Sequence, residues 1–223
     1  MKPLPALIML CALAGACTTD SYDAGDNDLS FLRADFADAY TDGKAMIVSA
    51  MTDDGDSLVF SQPTTCDWAT TKDSVYRALV YYNKVDQRVE PTVFSPVPVM
   101  NIARRSAIKK PLADDPLKLE SAWRSANGRY INLGIAVKTG YVDDDKLKQS
   151  VALVCDTIVE RSNGSREYHL RLYHGQNDIP QYYSANLYLS IPMAHKGLAM
   201  RKGDDILLTV NTYDGYLTRR FAF

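Results

Sequence analysis

Histidine and cysteine are scarce in this chain, and what they could build is correspondingly limited. There are 3 His and 4 Cys in 223 residues. None forms a Cys-x-x-Cys pair, and His169, His174 and His195 show no zinc-ligand spacing with Cys66 or Cys155. The acidic turn Asp53-Asp54-Gly55-Asp56 lacks the length and the closing Glu of a calcium loop. No metal and no cofactor is therefore expected. No Gly-x-Ser-x-Gly nucleophile elbow occurs either. Glycoside hydrolysis would need two carboxylates about 5–10 Å apart, and nothing singles out such a pair among the 27 acidic residues. The chain reads as non-enzymatic, with a hydrolase as the weakest alternative. A formal net charge of -2 gives no electrostatic basis for nucleic-acid binding. Phenylalanine is sparse at 6, against 14 Tyr, an aromatic balance that suits half-exposed antiparallel sheets.

The start of the chain is an address. Residues 1–17 carry one Lys, an apolar run and then small residues, the pattern of a signal peptide too short for a stable transmembrane span. It ends Leu13-Ala14-Gly15-Ala16-Cys17, which looks like a bacterial lipobox, although Ala14 stands where the pattern prefers Leu. Cys17 would be lipidated and become the mature N-terminus. Residues 18–28 are small and acidic and cannot build a core, so they read as a tether. Cys66 and Cys155 read as two separate thiols.

The rest alternates with a period of two. Residues 29–108 read as a small barrel of five strands. Its turns are Asp42-Gly43 and Asp53-Asp54-Gly55-Asp56, and a proline-bearing loop at 61–71 holds Cys66 and Trp68 as a plug. The stretch 88–104, with Pro91, Pro96 and Pro98, is expected at an edge or in irregular extension. Five strands with a long third-to-fourth connection fit an OB-like barrel. Arg104 to Lys110 is a short basic linker, and residues 109–223 form the second domain. There, Ile131, Leu133, Ile135 and Val137 share one face, as do Val151, Leu153, Cys155 and Thr157. Tyr168, Leu170, Leu172 and His174 oppose His169, Arg171 and Tyr173. Ala185, Leu187, Leu189 and Ile191 point inward, and a final hairpin turns at Asp214-Gly215. Seven strands in this length predict a β-sandwich. An outer-membrane barrel ending on Phe223 is the rival, but adjacent Arg219 and Arg220 put a charge on either side of its wall.

The lipobox, acidic tether, small barrel, the run Asp114 to Trp123, Tyr130-Ile131-Asn132-Leu133, the strand Tyr168 to His174 and the segment Val210 to Gly215 together resemble the NigD-like lipoproteins of Bacteroidetes. The resemblance is most specific in the second domain. It implies an OB domain followed by an immunoglobulin-like seven-stranded β-sandwich, in an outer-membrane protein anchored by lipid on its periplasmic or cell-surface face. It implies no established activity. Asp73-Ser74-Val75 and Asp156-Thr157-Ile158 also resemble the O-glycosylation triplet of exported proteins in that phylum.

The leading functional expectation is a binding module. Tyr173, Tyr182 and Tyr183, with His174, Gln176, Asn177 and Gln181, are the candidate contact residues. Tyrosines beside amides can stack on and hydrogen-bond to a glycan or an envelope protein. The alternative is a structural or accessory subunit of an outer-membrane complex, joined through an exposed sheet edge.

Overall fold

The computed structural model describes residues 32–85, 88–142, 147–195 and 197–223. Cys17 and the 18–28 tether lie outside the described residues. The described chain is all β apart from a single 3-10 turn at Arg105–Ala107.

The first five strands are β1 (Leu32–Thr41), β2 (Ile47–Thr52), β3 (Ser57–Thr64), β4 (Val75–Val85) and β5 (Arg88–Pro96). They close into a barrel in the order β1-β2-β3-β5-β4, with β3 and β5 parallel, so this barrel is OB-like. Alternation explains its core: Ala37, Ala39, Ile47, Ala50, Leu58, Phe60, Ala78, Val80, Tyr82 and Val89 are buried together. Ala69 is buried with them, and Cys66 and Trp68 pack partly buried on the same cluster, Trp68 edge-on to Tyr76 at 5.8 Å. The 65–74 connection therefore plugs the barrel as expected. One boundary differs, since β3 continues through Pro63 to Thr64. The β2–β3 register slips between Ile47 and Ser49, and a proline is tolerated where pairing is irregular.

The remaining strands are β6 (Ile102–Arg104), β7 (Lys118–Arg124), β8 (Tyr130–Thr139), β9 (Ser150–Glu160), β10 (Arg166–Gly175), β11 (Tyr183–Pro192), β12 (Asp205–Thr212) and β13 (Gly215–Ala222). They form a five-stranded sheet, β13-β12-β10-β9-β6, and a three-stranded sheet, β11-β8-β7. The sheets enclose one core that includes Ile131, Leu133, Ile135, Leu153, Tyr168, Leu170, Leu172, Ile191, Ile206, Leu208, Val210 and Phe221. The seven strands expected after residue 109 are all present, and β6 adds an eighth. It comes from the end of the 88–104 stretch, assigned above to the barrel domain, and pairs in parallel with β9 of the sandwich instead. Val99 likewise bridges to Ser190 of β11.

Two local expectations need correction. Cys155 lies opposite Leu170 and Thr157 opposite His169, so Asp156 is an extra residue in β9. Such a bulge reverses facing beyond it: Thr157 is exposed, and Ile158 packs on the core instead. The final hairpin pairs Thr212 with Gly215, so its loop is Tyr213-Asp214. Gly215 follows the turn at φ 101°, a conformation glycine adopts without a Cβ clash.

Candidate functional site

The strongest polar constellation lies where the barrel meets the outer face of β8 and β11. Both faces of β8 are covered there: Ile131, Leu133 and Ile135 face the sandwich core, while Asn132 and Ala136 are also buried. Arg77 of β4 stands at the centre. Its Nη2 donates to Asp53 Oδ2 at 2.6 Å and to Asn132 Oδ1 at 3.1 Å, and its Nε donates to Ser190 Oγ at 3.2 Å. Asp38 Oδ1 lies 3.6 Å from Arg77 Nη1, accepts from Tyr130 OH at 3.1 Å, and its carboxylate also pairs with Arg129. Asn132 Nδ2 donates to Asp53 at 2.8 Å, and Ser190 Oγ donates to Asn132 at 2.8 Å. The guanidinium sits 4.1 Å from the Tyr130 ring centroid. Burial, with Asp38 next, pushes the Tyr130 phenol up. Around this cluster, Phe36 packs edge-on to Trp123 and Tyr188 at 5.4 and 5.2 Å.

This arrangement is a joint. Asp38 and Asp53 are the two carboxylates that the fold brings to one cation, yet the Asp38 and Arg77 side chains are only 2% and 1% exposed. A buried, paired carboxylate has no route to a substrate. Asp53 of the acidic turn is thereby accounted for, since its carboxylate faces Arg77 and its backbone carbonyl accepts from Asn127 N–H at 2.8 Å. Among the described residues no group of three His, Cys, Asp or Glu side chains could hold a metal ion.

The candidate contact residues divide into two groups. Tyr173 and His174 leave opposite faces of β10. Tyr173 is buried on the outer face, where its hydroxyl accepts from Arg105 Nη1 at 3.3 Å. His174 is 1% exposed. Its Nδ1 donates to the Asp115 carbonyl at 3.3 Å, and Nε2 lies 3.3 Å from Gln149 Oε1. Gln176 donates from its backbone to Asp115 Oδ2 at 2.8 Å, and from its side chain to Lys138 O and Ile179 O at 2.9 and 2.8 Å. Asn177, at φ 49°, donates to Lys148 O at 2.7 Å. His174, Gln176 and Asn177 hold the start of the connection between β10 and β11 in place, while Tyr173 packs with Arg105 on the other face.

Gln181, Tyr182 and Tyr183 form the other group and are exposed. Tyr182 is 81% exposed and Tyr183 57%, and the neighbouring Tyr141, which sequence reasoning passed over, is 78% exposed. Tyr182 N–H donates to Thr139 O at 2.9 Å, and a Cβ at Gly140 would come within 2.8 Å of both Tyr182 Cδ2 and Pro180 Cβ. The lack of a side chain at Gly140 is what lets the Pro180–Tyr182 segment lie against the β8 end. Pairing of Tyr183 with Thr139 brings Tyr141 to the same end, a link that only the β8–β11 register reveals.

Cys66 and Cys155 are free thiols, and burial pushes both up from the ordinary thiol value. Beside Cys155, a hollow of about 280 Å³ is lined by Arg104, Arg105, Ser106, Asp156, Thr157 and Ile158.

Residues 99–223, more than half of the chain, match the NigD-like C-terminal beta sandwich domain. The chain belongs to the NigD-like family. Solved structures with the same fold include a NigD-like immunity protein from Bacteroides caccae, 19% identical, with a TM-score of 0.60 over 85% of this chain and 92% of that one. A protein of unknown function from Bacteroides vulgatus is 16% identical, with a TM-score of 0.61 over 86% and 91% of the two chains. A candidate lipoprotein from Bacteroides fragilis is 13% identical, with a TM-score of 0.57 over 85% and 96%. At these identities the likeness is one of fold. Its extent exceeds the sandwich, so NigD-like proteins of this shape share the barrel as well. A search of curated proteins gives no match.

Proposed function

We propose that this NigD-like chain is a non-enzymatic, lipid-anchored protein of the outer membrane that works by binding a partner in the periplasmic or extracellular space. Cys17 is the anchor and residues 18–28 the tether. The observation that carries the binding reading is the exposed trio Tyr141, Tyr182 and Tyr183 at one end of the sandwich. Tyr182 and Tyr183 end a connection already fixed by Gln176 and Asn177, and Tyr141 joins them from the end of β8. Exposed tyrosines on a held loop give contact area at low entropic cost, because each ring has few torsions to freeze. Gln181 belongs to this surface, while His174, Gln176 and Asn177 support it from behind. The similar fold of a candidate lipoprotein from Bacteroides fragilis agrees with the anchored setting.

The test is a detergent-solubilised pulldown from the native envelope with the full chain retaining Cys17. It is run beside Cys17→Ala, the double variant Tyr182→Ala/Tyr183→Ala, and a distant control, Tyr213→Ala. A partner retained by the control but lost with the double variant supports the reading. Indifference of every captured partner to the double variant would sink it.

A further inference from the structure

Unpaired strand edges are where a β protein can be extended by another chain, and this fold treats its edges unequally. The barrel is closed, so the edges to account for belong to the two sandwich sheets. β13 carries Arg219 and Arg220. β6 is only three residues long. β7 carries Lys118, Glu120 and Arg124. Charge and shortness are the usual means of preventing edge pairing. β11 has neither: from Tyr183 to Tyr188 it reads Tyr-Ser-Ala-Asn-Leu-Tyr, without charge or proline.

Backbone parity shows which groups are open. Ser190 N–H donates to Pro98 O at 2.9 Å, and Ser190 O accepts from Met100 N–H at 2.8 Å, so residue 190 directs its backbone groups away from β8. Met193, of opposite parity, donates to Arg129 O on the β8 side. The β8–β11 register runs without a shift from Tyr183 to Pro192. Both backbone groups of a residue point to one side of an antiparallel strand, and the side alternates. Ser184, Asn186 and Tyr188 therefore direct their N–H and C=O the same way as Ser190. The Pro98–Met100 segment covers Ser190 alone, through the bridge at Val99, and β11 is the outer strand of its sheet. Ser184, Asn186 and Tyr188 are all exposed.

We propose that the edge of β11 from Ser184 to Tyr188 is a docking site for an extended, uncharged strand of a partner protein, added to the three-stranded sheet by backbone pairing. The chain itself shows that this edge accepts a strand, since Pro98–Met100 already lies along its continuation. The same segment sets the limit: the guest pairs with Ser184, Asn186 and Tyr188 and stops before Pro98. Side chains of such a guest alternate between two environments. On one side stand Ala185 and Leu187, half-buried at the rim of the sandwich core, which calls for apolar residues. On the other stand the Ser184 hydroxyl and the Asn186 amide, which call for small polar ones. No charge on this stretch selects a charged guest. The site continues directly from Tyr182 and Tyr183 and rests on the binding reading for its setting. Its geometry is independent of that reading.

The experiment measures amide hydrogen exchange on the full chain in detergent. The probe is a seven-residue peptide of alternating valine and threonine, blocked at both ends. The expected result is saturable slowing at Ser184, Asn186 and Tyr188. Asn186→Pro removes one outward N–H without touching the β8 ladder, and Ser184→Lys adds a guarding charge. Each is expected to weaken the peptide at least tenfold. Should Asn186→Pro fail to fold, Ser184→Lys alone decides. Tyr182→Ala/Tyr183→Ala is expected to leave the protection in place, which separates failure of the tyrosine surface from failure of the edge. Absence of slowing, or slowing equal in the wild type and Ser184→Lys, would overturn the proposal. Protection that rises with protein concentration in the absence of peptide would assign the edge to a second copy and overturn it in favour of self-association.

Discussion

Replacing Arg77 with methionine should be among the most damaging single changes this chain can suffer. Methionine keeps much of the volume and removes the charge. Asp53 then retains only Asn132 Nδ2 at 2.8 Å as a side-chain donor, while Asp38 keeps Tyr130 and Arg129. Ser190 Oγ and Asn132 Oδ1 lose the donors that Arg77 supplied. Removing one partner from a buried ion pair costs about 3–5 kcal/mol, because the other charge stays desolvated. In a chain of this size each kcal/mol lowers Tm by roughly 2–4 °C, so the midpoint should fall by about 6–20 °C. Calorimetry with circular dichroism is the assay, and Lys118→Gln is the control. The Lys118–Glu120 pair is 64% and 40% exposed, so its loss should stay within about 0.5 kcal/mol. The shape of the melt is informative too. The wild type should unfold in one transition, because Arg77 sits on the barrel and bonds to β8 and β11 of the sandwich. Arg77→Met should broaden that transition or split it in two. A cost below about 1 kcal/mol, with one unchanged transition, would refute the view that this cluster locks barrel to sandwich.

Two further outcomes can be measured directly. Tyr82 is 1% exposed, donates to Asp35 Oδ2 at 2.7 Å, and has its phenol pushed up to about 12 by burial and then by Asp35. Spectrophotometric titration should show a tyrosine ionising at about 12 that is lost in Tyr82→Phe, and that variant should lose about 1 kcal/mol; a titration unchanged by the substitution would count against it. On the outer face of the five-stranded sheet, hydrogen bonds from Arg161 and then Arg220 hold the Glu167 carboxyl below its ordinary value, and Arg161 does the same for Asp205. A depressed folded-state value contributes stability that is fully present above the unfolded value of about 4 and is lost as pH falls through the folded one. The Tm of Arg161→Gln should therefore fall less steeply than that of the wild type between about pH 5 and 3, and parallel curves would contradict the pairing.

Strand identity was legible because most strands bury one face. Ile131, Leu133, Ile135 and Val137 alternate in the sequence and are buried in the fold for the same reason. What escaped the sequence depended on distant partners. Asn132 and Gly134 look like outward positions of a half-exposed strand, yet Asn132 is fully buried because the barrel covers it. Nothing in the local pattern announces that cover. β6 is too short to show periodicity, and its partner β9 lies some fifty residues downstream. The bulge at Asp156 adds one residue to a pattern otherwise regular, and only the opposing strand reveals it. The Asp214-Gly215 pair correctly marked a hairpin, but the same dipeptide serves a two-residue turn or a turn followed by a glycine bulge.

The candidate site was half legible, and the reason is chemical. Polar residues beside tyrosines can contact a partner or can pin their own loop, and the residue types are the same in either case. The distinction is made by Asp115, Lys138, Lys148 and Gln149, all remote in sequence from Gln176 and Asn177. Once those bonds are in place the two roles become one device. Ordering an interface side chain costs about 0.5–1.5 kcal/mol, and a mobile loop adds its own entropy. Gln176 satisfies Lys138 O and Ile179 O from one amide, so the turn into β11 is fixed before any partner arrives. The tyrosines beyond it then present their rings from a held backbone, directly upstream of the uncharged edge at Ser184, Asn186 and Tyr188. On the proposed reading, loosening the turn, as in Gln176→Ala, should therefore weaken capture of a partner that depends on Tyr182 and Tyr183 in the envelope pulldown, and capture unchanged by Gln176→Ala would contradict it.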